Sequence, residues 1–132
     1  SREDLKVAAP VGTRLPLLAG ATGKALLACL PEADALALVR RKGLRRYTPR
    51  SITEPARYME ALAEVRRNGF ALDDEEYLPG VRAVASPILG GGARAAAIWV
   101  VGFTSGMDGD RFADVARETR LAAEAVGAKL SP

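Results

Sequence analysis

Val65-Arg66-Arg67-Asn68-Gly69-Phe70-Ala71-Leu72-Asp73-Asp74-Glu75-Glu76, continued through Gly80-Val81 to Ala85-Ser86-Pro87, is the stretch that decides how this chain folds. Tyr58, Leu62 and Val65 share one face of a helix that starts at Thr53 and Pro55, and Gly69 stops it. Residues 70–73 then form a short strand. Residues 81–89 and 94–103 read as longer strands joined at Gly90-Gly91-Gly92, which predicts a hairpin. Working outward, residues 4–9 alternate polar with apolar (Leu5, Val7) and read as a further strand. Residues 21–30 form a helix with Thr22 near its start. Pro31 opens a second helix, which ends at Gly43 in a left-handed cap. Residues 108–130 form a long amphipathic helix with Phe112, Val115, Thr119, Ala122, Val126 and Leu130 along one side. The fold class is α+β: an antiparallel sheet flanked by helices, with no repeat or linker to divide it.

Composition bounds the function. The 132 residues are 48% hydrophobic and 27% charged, enough for one domain with a single core. A net charge of +3 is too small to imply nucleic-acid binding without a concentrated basic face. Histidine is absent, which excludes serine hydrolase triads, Cys–His pairs and histidine-ligated zinc. The one cysteine, Cys29, has no internal disulfide partner, and its apolar neighbours give it a buried helix position; this suits a reducing cytoplasm. No apolar run reaches the roughly 18 residues of a membrane span, and Ser1-Arg2-Glu3-Asp4 starts without a signal peptide.

Three local motifs invite sharper readings. Gly20-Ala21-Thr22-Gly23-Lys24 is not a phosphate loop, which needs glycine where Leu18 stands and Ser or Thr where Ala25 stands. It does offer the outward N–H groups of Ala21, Thr22 and Gly23 at a helix start, a place for a carboxylate or simply a water-capped helix end. Asp73-Asp74-Glu75-Glu76 alternates across a strand, so its carboxylates cannot all converge on a metal or a catalytic centre; Asp74, Glu75 and Glu76 read as a solvated strand end. Arg40, Arg41, Lys42, Arg45, Arg46 and Arg50 fall at a helix C-terminus, where cations meet the dipole, and read as a solvated end rather than a nucleic-acid surface.

Gly12-Thr13-Arg14-Leu15-Pro16-Leu17, Gly23-Lys24-Ala25-Leu26-Leu27-Ala28 and Leu30-Pro31 precede the deciding stretch at a fixed separation. Together with it they resemble the effector-binding domain of the IclR family of bacterial transcriptional regulators, over essentially the whole chain. The resemblance implies a GAF-like or profilin-like sheet carrying a ligand pocket, no catalysis and no cofactor. It also implies a winged helix-turn-helix ahead of this domain, so the chain reads as an excised effector domain, residues 1–132, that meets DNA only through a missing N-terminal domain. The first strand then begins inside the family's sheet, and an unpaired edge invites association with another copy.

The resemblance assigns pocket roles by position. Helix-start amides fall at Ala21 and Thr22, the pocket aspartate at Asp73, and apolar lining at Val7, Leu15, Leu17 and Val81. The family's pocket cysteine falls at Ala83, and its two serines fall at Trp99 and Val101. Three polar side chains are therefore replaced. Period-two alternation puts Ala97, Trp99 and Val101 on one face, so the indole points at the pocket. Loss of the hydroxyls and thiol disfavours compact oxo-acids and favours an aromatic or hydrophobic carboxylate. Dimers or tetramers are expected, with no membrane partner. The alternative is an oligomerisation-only domain whose pocket Trp99 plugs.

Overall fold

A computed structural model describes residues 11, 14–90 and 95–130. Four helices, α1 (Gly20–Leu27), α2 (Glu32–Lys42), α3 (Pro55–Asn68) and α4 (Gly109–Leu130), surround three strands, β1 (Ala71–Asp74), β2 (Val81–Pro87) and β3 (Ala97–Phe103). The strands run β1-β2-β3, each pair antiparallel, with Asp73 opposite Ala83, Ala83 opposite Val101 and Ala85 opposite Trp99. The fold class read from the sequence is the observed one. The expected strand at 4–9, with Val7, and the hairpin tip at 91–94 lie outside the described residues.

Period-two alternation gives the sheet two faces with separate cores. On one face Ala71, Ala83 and Ala85 meet Ala21, Ala25 and Ala28 of α1, with Tyr58, Leu62 and Val65 of α3 and Val39 of α2 behind. On the other, Val84 packs with Ala116 of α4 and Met107, flanked by Phe70, Phe112 and Val115. β2 is buried from both sides, and Ser86, fully buried, has no hydrogen-bond partner among the described residues.

Alanine on both sides of the first core brings α1 against the sheet, and Gly23 carries the approach to its limit. A Cβ there would stand 1.8 Å from the Leu17 carbonyl oxygen. The caps of α3 follow the sequence: Pro55 opens it at its first turn, and Gly69 closes it in the left-handed region at φ 80°. Gly43 ends α2 at φ 76° and ψ 152°, outside the left-handed helical region expected for it.

Three further expectations are corrected. The buried stripe of α4 is Ala116, Thr119, Ala123 and Gly127, while Val126 and Leu130 are exposed. The helix lies directly on the backbone after β2, where a Cβ on Gly127 would meet the Leu89 carbonyl at 2.3 Å, so small residues face inward and bulky ones outward. Cys29 is exposed, because α1 ends at Leu27 and the chain turns away before it. The acidic turn is not merely solvated: Arg50 pairs with Asp74 at 2.9 Å and Glu75 at 3.3 Å, and Arg82 with Asp74 at 2.8 Å, whereas all six members of the basic run, Arg40 to Arg50, are exposed as expected.

Candidate functional site

The site forms where the start of α1 meets the end of β1. Gly20 takes φ 67°, a backbone state open to glycine, and turns the chain into α1 with no side-chain cap on its first-turn amides. Asp73 comes up beside this turn: a Cβ on Gly20 would lie 2.8 Å from Asp73 Oδ2. The other oxygen, Oδ1, accepts a hydrogen bond from the Glu76 backbone N–H at 2.7 Å, and the Tyr77 backbone also bonds to the carboxylate.

That carboxylate is 5% exposed, and its pKa is raised from 3.8 to about 6. Burial is the main cause. The backbone N–H of Glu76 pulls the value down, the Glu76 carboxylate pushes it up, and the Lys24 ammonium pulls it down. Lys24 cannot neutralise Asp73 fully because it is committed elsewhere. Its Nζ donates to the Leu72 carbonyl at 2.8 Å and pairs with Glu76 Oε1 at 2.7 Å. Glu76, expected at a solvated strand end, is thus the partner of a lysine only 6% exposed.

The 75–80 turn is clamped from the loop after α2. Thr48 Oγ1 donates to the Glu75 carbonyl at 2.6 Å, and Ser51 Oγ donates to the Glu76 carbonyl at 2.7 Å. Glu75, the non-glycine residue at φ 60°, accepts the Gly80 N–H at 2.8 Å through its carboxylate. This network sets the height of Asp73 relative to α1. Lys24, Thr48 and Ser51 carry no sequence signal of such a role, since each acquires it from contacts some 25–50 positions away along the chain.

The other assigned residues fall as follows. Ala21, Ala83 and Val81 are buried, and Leu17, Trp99 and Val101 are half-buried against the α1-side core. Thr22 Oγ1 is enclosed and has no hydrogen-bond partner among the described residues. Leu15 is 42% exposed, and Val7 lies outside the described residues. Asp73, Ala83 and Val101 are consecutive cross-strand neighbours, and Trp99 lies one pleat further along β3. No cluster of three metal-ligating side chains occurs among the described residues. No described helix is long and apolar enough to cross a membrane.

The pKa shift predicts a pH dependence of stability. A carboxyl raised in the folded state means that the native domain holds a proton that the unfolded chain releases between about pH 4 and 6. Stability therefore falls as pH rises through that window and stays lower above it. Relative to Asp73→Asn, which keeps the Glu76 acceptor, the wild-type domain should lose on the order of 2–3 kcal/mol between pH 4 and 7. Urea unfolding of both proteins across that range measures the difference; parallel curves would show that Asp73 is not protonated by burial.

The described structure is thus a helix-flanked antiparallel sheet that sets a buried carboxylate beside a glycine-opened helix start. The chain belongs to the IclR family: the family model described as bacterial transcriptional regulator IclR C-terminal matches residues 1–128. It is 36% identical over 133 residues to the HTH-type transcriptional regulator BhcR of Paracoccus denitrificans, covering 100% of this chain and 48% of that protein. It is 40% identical over 84 residues to the transcriptional repressor IclR of Escherichia coli, covering 64% of this chain and 31% of the repressor. The chain therefore spans about half or less of the length of these relatives, which are regulators and not enzymes. Among solved structures it is similar to a putative transcriptional regulator from Rhodococcus, with TM-score 0.86 and 31% identity over 95% of this chain and 51% of that one. It is also similar to a double mutant of the PobR inducer-binding domain from Acinetobacter in complex with 3-hydroxybenzoic acid, with TM-score 0.81 and 31% identity over 92% of this chain and 73% of that one.

Proposed function

We propose that this chain is the effector-sensing domain of an IclR-type regulator, that it recognises an organic acid with an aromatic or apolar body, and that it signals through dimer or tetramer geometry to DNA contacts made elsewhere in the whole protein. The observation that carries this reading is the cross-strand row Asp73, Ala83, Val101 with Trp99 beside it, whose Asp73 stands against Gly20 at the start of α1. Amides at Ala21 and Thr22, which no side chain caps, suit one carboxylate. Trp99 and Val101 give an apolar wall, and an indole stacked on an aromatic ring adds about 0.5–1.5 kcal/mol beyond area burial. Asp73, close to half-protonated near pH 6, meets a ligand hydroxyl as acceptor or donor. That a similar domain is solved with a hydroxybenzoic acid supports the ligand class. Coupling to DNA affinity is bounded by the effector's differential affinity for the two arrangements, typically about 1–3 kcal/mol.

A second reading, a purely oligomerising domain, draws on the packing of Trp99 against the α1-side core. One titration separates the two. Trp99 is the sole tryptophan, so its fluorescence reports on this region directly. Saturable emission change with 3-hydroxybenzoate and none with glyoxylate is the expected result. The reverse selectivity removes the aromatic-acid assignment, and indifference to every acid leaves the plugged domain.

A further inference from the structure

The opposite face of the sheet carries a cleft that the effector site does not use. It has a volume of about 630 Å³ and lies between the C-terminus of α3, the exposed side of β1 and the first three turns of α4. That size falls within the range of about 300–1,000 Å³ occupied by small-molecule sites. Its floor is apolar: Phe70 and Leu72 from the β1 side and Phe112 from α4, with Ala113 and Ala116 keeping the helix wall low. Leu72, one of the lining residues, is 39% exposed.

Three arginines, Arg67, Arg117 and Arg120, line the cleft, and no carboxylate does. Arg117 and Arg120 pair with Asp114 and Glu124 on their own helix, outside the lining. Such exposed pairs within one helix are worth about 0.3–0.5 kcal/mol and exchange readily for a better anion. Arg67 pairs with no described carboxylate. The walls are held in place before any ligand arrives. Arg82 stands 5.3 Å over the Phe112 ring and is itself fixed by the Met107 carbonyl at 2.6 Å and by Asp74 at 2.8 Å. Arg120 lies across the end of α3 because Gly69 has no side chain; a Cβ there would meet Arg120 Cδ at 2.8 Å.

We infer that this cleft is a second small-molecule site, for an amphipathic organic anion whose aromatic or alkyl body lies on Phe70, Leu72 and Phe112 while its carboxylate or sulfonate is taken by Arg117 and Arg120. Guanidinium groups suit this role because their paired N–H donors match a carboxylate in two parallel hydrogen bonds. The site is independent of the effector reading, since Leu72 and Asp73 point to opposite faces of β1.

The test is an amide NMR titration of the domain with 2-naphthoate. Saturable shifts at Phe70, Leu72, Phe112, Ala116 and Arg120 are expected. Arg117→Glu combined with Arg120→Glu should weaken this binding by at least about tenfold. Ala113→Trp should block it by filling the cleft, and both variants should keep the unliganded spectrum of the sheet. Shifts confined to Trp99 and α1 would place the anion in the effector region alone and overturn the proposal. So would undiminished binding in both variants, or no saturation up to millimolar probe. If the same amides move with protein concentration in the absence of probe, a second copy covers the cleft and the inference fails.

Discussion

Gly23→Ala should lower the unfolding free energy by at least about 3 kcal/mol, and Gly23→Val should prevent folding. The added carbon would stand 1.8 Å from the Leu17 carbonyl oxygen and 3.0 Å from its carbon, and both are backbone atoms that cannot rotate away. Relief requires moving either the segment before α1 or α1 itself, and α1 packs on the sheet through Ala21, Ala25 and Ala28. Helix propensity points the other way, since alanine is favoured over glycine by about 1 kcal/mol within a helix, so the loss measures the clash after that gain. Gly109→Ala is the control, because nothing stands within 4 Å of the position its Cβ would take. Urea unfolding should show Gly109→Ala within about 0.5 kcal/mol of wild type. Equal stability of the Gly23→Ala protein would mean that the approach of α1 to Leu17 is much looser than described.

The second large effect belongs to Lys24. Lys24→Met should cost about 2–4 kcal/mol, because it removes a lysine only 6% exposed and leaves the half-buried Glu76 carboxylate and the Leu72 carbonyl without their donor. Most of that cost arises from the partner left unpaired rather than from the net worth of the pair. The double variant Lys24→Met with Glu76→Leu should therefore be more stable than Lys24→Met alone, with a coupling of about 1–3 kcal/mol in a double-mutant cycle. Additive losses would show that lysine and glutamate act separately. Because Glu76 also donates its backbone N–H to Asp73, the cycle is best read alongside the pH dependence of Asp73, which reports whether the turn has moved.

Much of the architecture was legible because it rests on local chemistry. Gly43 and Gly69 end helices where the sequence places them, Pro55 opens one, and the two longer strands pair antiparallel as expected. The stripe on α4 was misread because hydrophobic periodicity rewards large side chains. The packing surface instead selected mostly small ones: Ala116, Thr119, Ala123 and Gly127 face inward, and at Gly127 the Leu89 backbone lies too close for any side chain.

The same division runs through the site. Asp73 was placed in the sequence by resemblance and by its strand position, and Trp99 by the period-two alternation of β3. Its pKa of about 6, by contrast, is a tertiary quantity, set by burial and by groups contributed from α1 and the following turn. Lys24 stands inside a run that looked like a failed phosphate loop, and Glu76 inside one that looked solvated. Only the fold brings them to 2.7 Å. The arginine-lined cleft draws on residues 67, 117 and 120, two helices that no local pattern joins. Sequence by itself determined the elements, their order and the face each strand residue takes, because steric and hydrogen-bonding rules act over a few residues. The tertiary structure alone decided which charges are buried together and how closely helices approach, because desolvation and packing depend on neighbours distant along the chain.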